Sequence, residues 1–457
     1  MNTPNAPDMV IKPVQFSATE KLAYFATELR WENIPSEVIH EAKRAILDCH
    51  GVAFAGSRDS LLEKMRSVYI ARAGAPEATL VGYPKKLDIL SAALLNGAAA
   101  HALDFDDTHA DFFYHATVPV APVVWALGEL RRVSGRDFLT AFIAGWEVGA
   151  RIARALYPGI YLRGWQGTAT IGNFAAAAAA GRLLGLTVAE MRNALGLAGA
   201  QAGGTRQMLG TMSKPFQVGK SAMNGLLSAL LSKEGVSSSP IVLEAPLGFA
   251  ALTSPTCDFG GAMSDLGARF ELLRNTYKPY ACCLKHHAVV DAFLTLQNEN
   301  NVSPDRLLSA SCSVCPTLLD TANVTEPVTG SEGKFSVQHS AAVALTDREA
   351  GLAQYTDQRV QDHKLAELRH KLRFVADPAV AADECRLTAE CIDGTSYSVN
   401  IQHAQGGIYY PLSDDALKSK FCSVVGSVSD ASAQDQVMEA ILSMNVVDDV
   451  STITARW

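Results

Sequence analysis

Six consecutive alanines, Ala175 to Ala180, set the tightest limit on how this chain folds. Alanine is the strongest helix former and carries almost no side-chain bulk. Helices built from small residues approach one another closely, so the tract predicts a multi-helix packing around it. Just beyond it, Leu183, Leu184, Leu186 and Val188 form an apolar stripe suited to a core. Segments of the same kind fill the chain to about residue 268, punctuated by Gly, Pro and Asn. Ser17 with Glu20 forms a capping-box pattern ahead of an amphipathic run through Leu29. Pro35 and Ser36 open a second helix, Glu37 to about Ala55, closed by Gly56. Residues 1–12 read as a loose tail.

The pattern changes after about residue 270. Ser309 to Val314 alternates weakly and reads as a strand. Arg386–Ile392 and Thr395–Ile401 alternate more clearly and are joined by Asp393-Gly394, a hairpin signal of type I′. From Ser413 the pattern is helical again, over Asp414–Phe421 and Ala433–Leu442. The fold class expected is therefore mainly α: a large all-helical domain, 1–268, and a smaller α+β domain, 269–405. A length of 457 residues fits two domains. A charged content of 19% against 48% hydrophobic excludes a disordered chain. A net charge of −8 argues against nucleic-acid partners. No apolar run reaches transmembrane length, and the N-terminus carries no secretory pattern. Nine cysteines, an odd number without an export signal, read as reduced thiols of a cytoplasmic protein.

The chemistry concentrates in Asn96–His109, N-G-A-A-A-H-A-L-D-F-D-D-T-H. Small residues lead into Asp104, Asp106, Asp107, Thr108 and His109. Nothing between Ala98 and His109 breaks a helix by propensity. A helix there would put Asp104, Thr108 and Asp111 on one face, and Asp106 with His109 on another. On spacing alone, a solvated helix end accounts for the pattern equally well.

The sequence N-G-x-x-x-H-A-x-D-F-D-D-T closely resembles the signature of the MmgE/PrpD family. That family contains 2-methylcitrate dehydratase, cis-aconitate decarboxylase and iminodisuccinate epimerase. Five further stretches resemble the family pattern. His115, in Y-H-A-T-V-P, stands where the family has a catalytic histidine; imidazole suits proton transfer near neutral pH. Arg163-Gly164-Trp165-Gln166-Gly167-Thr168 resembles R-G-[FW]-H-P-T, with Gln166 in place of the histidine. Gly210–Gly219 resembles G-T-x-x-K-P-x-H-x-G, with Lys214 matching and Gln217 replacing a second histidine. Tyr277–Ala288 resembles K-P-Y-P-C-C-x-x-x-H-A through Lys278 and His287. Gly333–Ser340 resembles a fifth segment, with Lys334 and His339 as pocket-edge residues.

The resemblance, running discontinuously from about residue 17 to 425, implies that residues 406–457 complete the helical domain and that the protein is a homodimer. It implies His115, Asp104, Thr108, Lys214 and Lys278 as catalytic residues. Arg163, Gln166, Gln217, His287 and Lys334 follow as substrate-binding ones. The activity implied is a cofactor-independent lyase on a small di- or tricarboxylate, by dehydration or decarboxylation. An epimerase of a small dicarboxylate is the alternative. A non-catalytic or metal-sensing protein using Asp104, Asp106, Asp107 and His109 is a third reading. Glutamine cannot act as an acid or base near pH 7, so two such replacements leave fewer proton-transfer groups than in members with both histidines. That points to a specialised substrate rather than 2-methylcitrate. No metal is expected: Cys282-Cys283 and Cys312-x-x-Cys315 fit no zinc spacing. Gly219-Lys220-Ser221 imitates the end of a phosphate-binding loop but lacks its upstream glycine, since Lys214 stands there. No dinucleotide or iron–sulfur motif appears.

Overall fold

The computed structural model describes residues 17–426 and 431–457; the loose tail expected at 1–12 lies outside them. Helices dominate up to residue 262. The alanine tract lies in helix Gly167–Leu184, whose residues 167–181 are all buried. Helix Ser213–Lys233 packs against it where Gly225 faces Ala176; a Cβ on Gly225 would come within 2.4 Å of the alanine methyl. The same helix crosses Ile89–Ala102 at Gly219 and Gly97, where a Cβ on Gly219 would meet the Leu94 carbonyl at 2.3 Å. Small residues thus set both crossings, and the second brings the two helix ends that carry Lys214 and Asp104 together.

Among the described residues two large apolar cores result, beside a small cluster of Tyr277, Leu412 and Leu417. One joins residues 22–272 with Phe421, Val425, Val437, Ile441, Met444, Val450 and Ile453, so the C-terminal segment returns to the helical core. The other spans residues 280–404, with Val52, Ala55, Phe105 and Val424 packed into it. We take these cores as the two domains. The second is built on a four-stranded sheet ordered 372–376, 307–314, 385–391, 396–401. Strand Leu307–Val314 runs parallel to Leu372–Ala376 and antiparallel to Cys385–Cys391. On Cys385–Cys391 burial alternates strictly, with Cys385, Leu387, Ala389 and Cys391 inward. Among the described residues no helix is long and apolar enough to cross a membrane.

Three local readings are corrected. Only Gly394 has positive φ in the 391–395 hairpin, where Gly394 N donates to the Cys391 carbonyl (3.0 Å) and Cys391 N to that of Thr395 (2.8 Å). That is a type I turn with a glycine bulge rather than type I′. Ser17 does cap the first helix, but Glu20 turns to Arg192 (3.5 Å) instead of closing the box. The third correction concerns the acidic stretch. Helix Ile89–Ala102 stops before it, Asp104 has φ +52°, and Thr108–His109 is a short strand paired with Asn275–Thr276. Asp104, Thr108 and Asp111 therefore share no helical face.

Candidate active site

The helix ends because its next carbonyls are drawn outward by cations. Lys334 Nζ donates to the Leu103 carbonyl (2.5 Å), Lys278 Nζ to that of Asp104 (2.7 Å), and Lys420 Nζ to that of Phe105 (2.8 Å). Three lysines from distant parts of the chain hold three consecutive carbonyls at a helix C-terminus, where positive charge is favoured. Aspartate tolerates the left-handed conformation better than most residues, so Asp104 can take the turn.

This turn sorts the three carboxylates. Asp104 faces a cavity of about 100 Å³ lined also by Thr108, His115, Gln166, Arg206, Lys214, Lys278, Cys283 and Lys285. It bonds Lys214 Nζ directly and lies 3.3 Å from Lys278 Nζ. Burial pushes its carboxyl up, but the two ammoniums more than offset that and hold it far below the usual range. Burial likewise works against the Lys278 charge, and Asp104 and Asp106 restore it, leaving its pKa raised. Lys214 lies in the first turn of its helix and Asp104 just past the end of another; each is disfavoured by its own helix dipole, and their pairing compensates both.

Asp106 is fully buried behind His115. Its Oδ2 accepts from His101 Nδ1 (2.8 Å). His115 Nδ1 lies 2.9 Å from the same oxygen, without the alignment of a straight hydrogen bond. Burial raises the Asp106 pKa, yet the two imidazoles bring it well below normal. His101 is pulled down to about 4 by burial, which Asp106 only partly opposes, so it is a neutral donor. The His115 ring, its side chain 15% exposed, meets His101 edge-on at 4.8 Å, and its backbone N–H donates to Thr168 Oγ1 (3.1 Å). Asp107 takes no part in the cavity. Thr117 Oγ1 and Asn275 Nδ2 (2.6 Å) donate to it, and burial holds its carboxyl well above normal. His109 is likewise withdrawn, 3.2 Å from Glu271.

The structure thus brings Asp104, Thr108, His115, Gln166, Lys214 and Lys278 to one cavity. Lys334 lines a smaller adjoining one with Asp59, His101 and Lys214, its pKa lowered to about 8 chiefly by burial. Four expected residues stand elsewhere. Arg163 is exposed and reaches only the Leu252 carbonyl (3.5 Å). Gln217 brackets the Thr205 backbone, accepting from its N–H (3.1 Å) and donating to its carbonyl (3.2 Å). His287 is buried against Tyr280, and burial drives its pKa well down. His339 bonds the Gln354 carbonyl (2.8 Å). Gln166 meets the cavity while its amide oxygen caps helix Gly167–Leu184. A local motif shows residue type; it does not show which way a loop turns.

Sequence reading missed His101, Arg206, Lys285 and the backing role of Asp106. His101 lies inside the acidic stretch, but its five-residue separation from Asp106 matches no regular periodicity. Among the described residues two groups have ligand atoms close enough for a metal: His101, Asp106, His115 and His109, Asp111, Glu271. In the first, the 2.8 and 2.9 Å separations are hydrogen-bond distances. Ligands around a tetrahedral ion would stand about 3.3 Å apart.

Models of the MmgE/PrpD N-terminal and C-terminal domains match residues 20–261 and 280–445. The chain is 30% identical to the cis-aconitate decarboxylase of Aspergillus terreus, over 95% of this chain and 94% of that one. It is 26% identical to the mouse cis-aconitate decarboxylase, over 96% and 93%. The human protein of that name is also 26% identical, over 96% and 94%.

Proposed function

The chain belongs to the MmgE/PrpD family, and from that premise we propose a cofactor-independent decarboxylase of a small tricarboxylate, cis-aconitate or a near analogue. It is a lyase, in keeping with the near-full-length similarity to cis-aconitate decarboxylases. One observation favours decarboxylation over dehydration or epimerisation. Among the cavity-lining residues His115 is the single imidazole, and it faces four cations, Arg206, Lys214, Lys278 and Lys285, against the one carboxylate of Asp104. Dehydration needs a base and an acid for the departing hydroxide. Epimerisation needs proton transfer on both faces of one carbon. Decarboxylation needs one proton delivered once.

In the proposed step the carbon–carbon bond to the departing carboxylate breaks and CO₂ leaves. The released electron pair forms a new double bond to the neighbouring carbon, and that carbon's existing double-bond pair moves to the carbon alpha to a second carboxylate. Lys214 and Lys278 stabilise the charge as it spreads onto that carboxylate. His115 Nε2–H then protonates that carbon, so a trianion and one proton become a dianion and CO₂. Asp106, beside Nδ1, fixes which ring nitrogen carries the mobile proton and stabilises the imidazolium. Asp104 keeps both lysines charged and placed, and Thr108 offers a hydroxyl to the substrate. The homodimer implied by the family resemblance and the cytoplasmic location expected from the sequence are part of the same proposal.

The test is incubation of the full chain with cis-aconitate in excess chelator. One CO₂ and one itaconate per substrate consumed is the expected result. No CO₂ under these conditions, with turnover restored by a divalent ion, would instead favour a metal at His101, Asp106 and His115.

A further inference from the structure

The cations at the cavity are not equivalent. Lys214 and Lys278 both sit on Asp104. Arg206 and Lys285 line the same cavity, yet among the described residues neither makes an ion pair. Arg206 stacks at 3.6 Å over the Tyr161 ring and donates from Nη1 to the Tyr161 carbonyl (3.0 Å). Its Nε is buried without a hydrogen-bond partner. Lys285, 7% exposed, donates to the Thr317 carbonyl (2.8 Å) and lies 4.7 Å from the Phe113 ring centre. Asp320 reaches it only through space.

Both side chains are held in place by neutral groups alone. Arg206 N donates to the Gly164 carbonyl (2.8 Å), and the preceding residue, Thr205, is bracketed by Gln217. Burial lowers the Lys285 pKa, against weaker opposing effects of Cys283, Cys315 and Asp320, and repulsion from Arg206 adds to the lowering. Two fixed, partly desolvated cations without a counter-charge cost stability, and an anion between them would relieve that cost. A planar guanidinium with an unused N–H suits a carboxylate.

We propose that Arg206 and Lys285 form the seat for a further substrate carboxylate, remote from the one held by Lys214 and Lys278, and so select tricarboxylates over dicarboxylates. The proposal rests on the decarboxylase reading for the identity of the ligand, and its test is independent of turnover. Calorimetric titration of the full chain would use tricarballylate, glutarate and 2-methylsuccinate; the last two each lack one carboxylate of the first. Wild type is expected to bind tricarballylate about 10- to 100-fold more tightly than either dicarboxylate, the worth of one charged hydrogen-bonded contact. In R206Q and K285Q that preference should collapse, while affinity for the better dicarboxylate stays within about 3-fold, smaller than the loss of one such contact. R206K, keeping charge but not the fork, should fall between. Should R206Q not fold, K285Q and R206K decide. Equal loss of tri- and dicarboxylate affinity, or a preference that survives in the variants, would overturn the seat. Wild-type turnover of cis-aconitate, measured alongside, separates the two claims. Preference without decarboxylation sinks the reaction and leaves the seat; decarboxylation without preference sinks the seat alone.

Discussion

The two walls of the cavity are held by different forces. Along 101–108, charge does the holding: lysines on three successive carbonyls, Lys214 and Lys278 on one carboxylate, and two imidazoles around another. Along 163–168 and 204–217, amides do it: Gln166 caps a helix, Gln217 brackets Thr205, and backbone bonds join Gln166 to Gly204 and Arg206 to Gly164. Both glutamines stand where the family resemblance gives histidine. On the proposed reading, the contrast puts the proton chemistry on the charged wall and the binding surface on the amide wall. Changes to the first should strike turnover; changes to the second should strike affinity.

The sharpest break comes from His115→Ala, expected to lower kcat by roughly 10²- to 10⁴-fold, the usual worth of general acid–base catalysis, with the thermal midpoint little changed. Wild-type turnover in that variant would end the contrast. Asp106→Asn should cost less, about 10- to 100-fold in kcat, the value of a hydrogen bond to a charged group. KM should hold, because Asp106 acts through His115 and touches no ligand. A rise in KM with kcat intact would move Asp106 to the binding side.

His101 supplies a pH-dependent test of the same wall. Its folded pKa, about 4, lies below the usual imidazole value near 6.5. Between those values the unfolded chain binds a proton that the folded chain does not, so wild-type stability from this group falls as pH drops from 6.5 to 4. His101→Asn can still donate to Asp106 but has nothing to titrate. Its stability relative to wild type should rise by about 3 kcal/mol across that window, given about 1.4 kcal/mol per pKa unit. A difference that stays flat with pH would contradict a neutral His101. The smallest effect is expected on the amide wall. Gln217→Ala removes two backbone hydrogen bonds and should cost about 1–2 kcal/mol of stability. It should raise KM through the loosened Arg206 segment with kcat kept; a collapse of kcat would place Gln217 in the chemistry.

Much of this was legible in the sequence, though unevenly. Propensity and spacing gave the helices around Ala175–Ala180, the strand near Ser309 and the hairpin position, because these depend on contacts within one segment. They failed at Asp104, where no residue breaks a helix but lysines from positions 278, 334 and 420 draw the carbonyls away; nothing local encodes those partners. Positions matched to the family pattern located six of the cavity residues, Gln166 among them although its type differs. The same matching placed Arg163, Gln217 and His287 in a site from which their loop and helix turn them away. Arg206 and Lys285 went unnoticed because their meaning is the lack of an ion pair among the described residues, a property of space rather than of order.

The account stands most directly on where one proton goes. Proton NMR of cis-aconitate with the wild-type chain in D₂O and chelator follows it. The account predicts vinylidene signals of itaconate and a single deuteron in its saturated methylene. An unchanged spectrum, or deuterium entering the substrate with all three carboxylates retained, would contradict it.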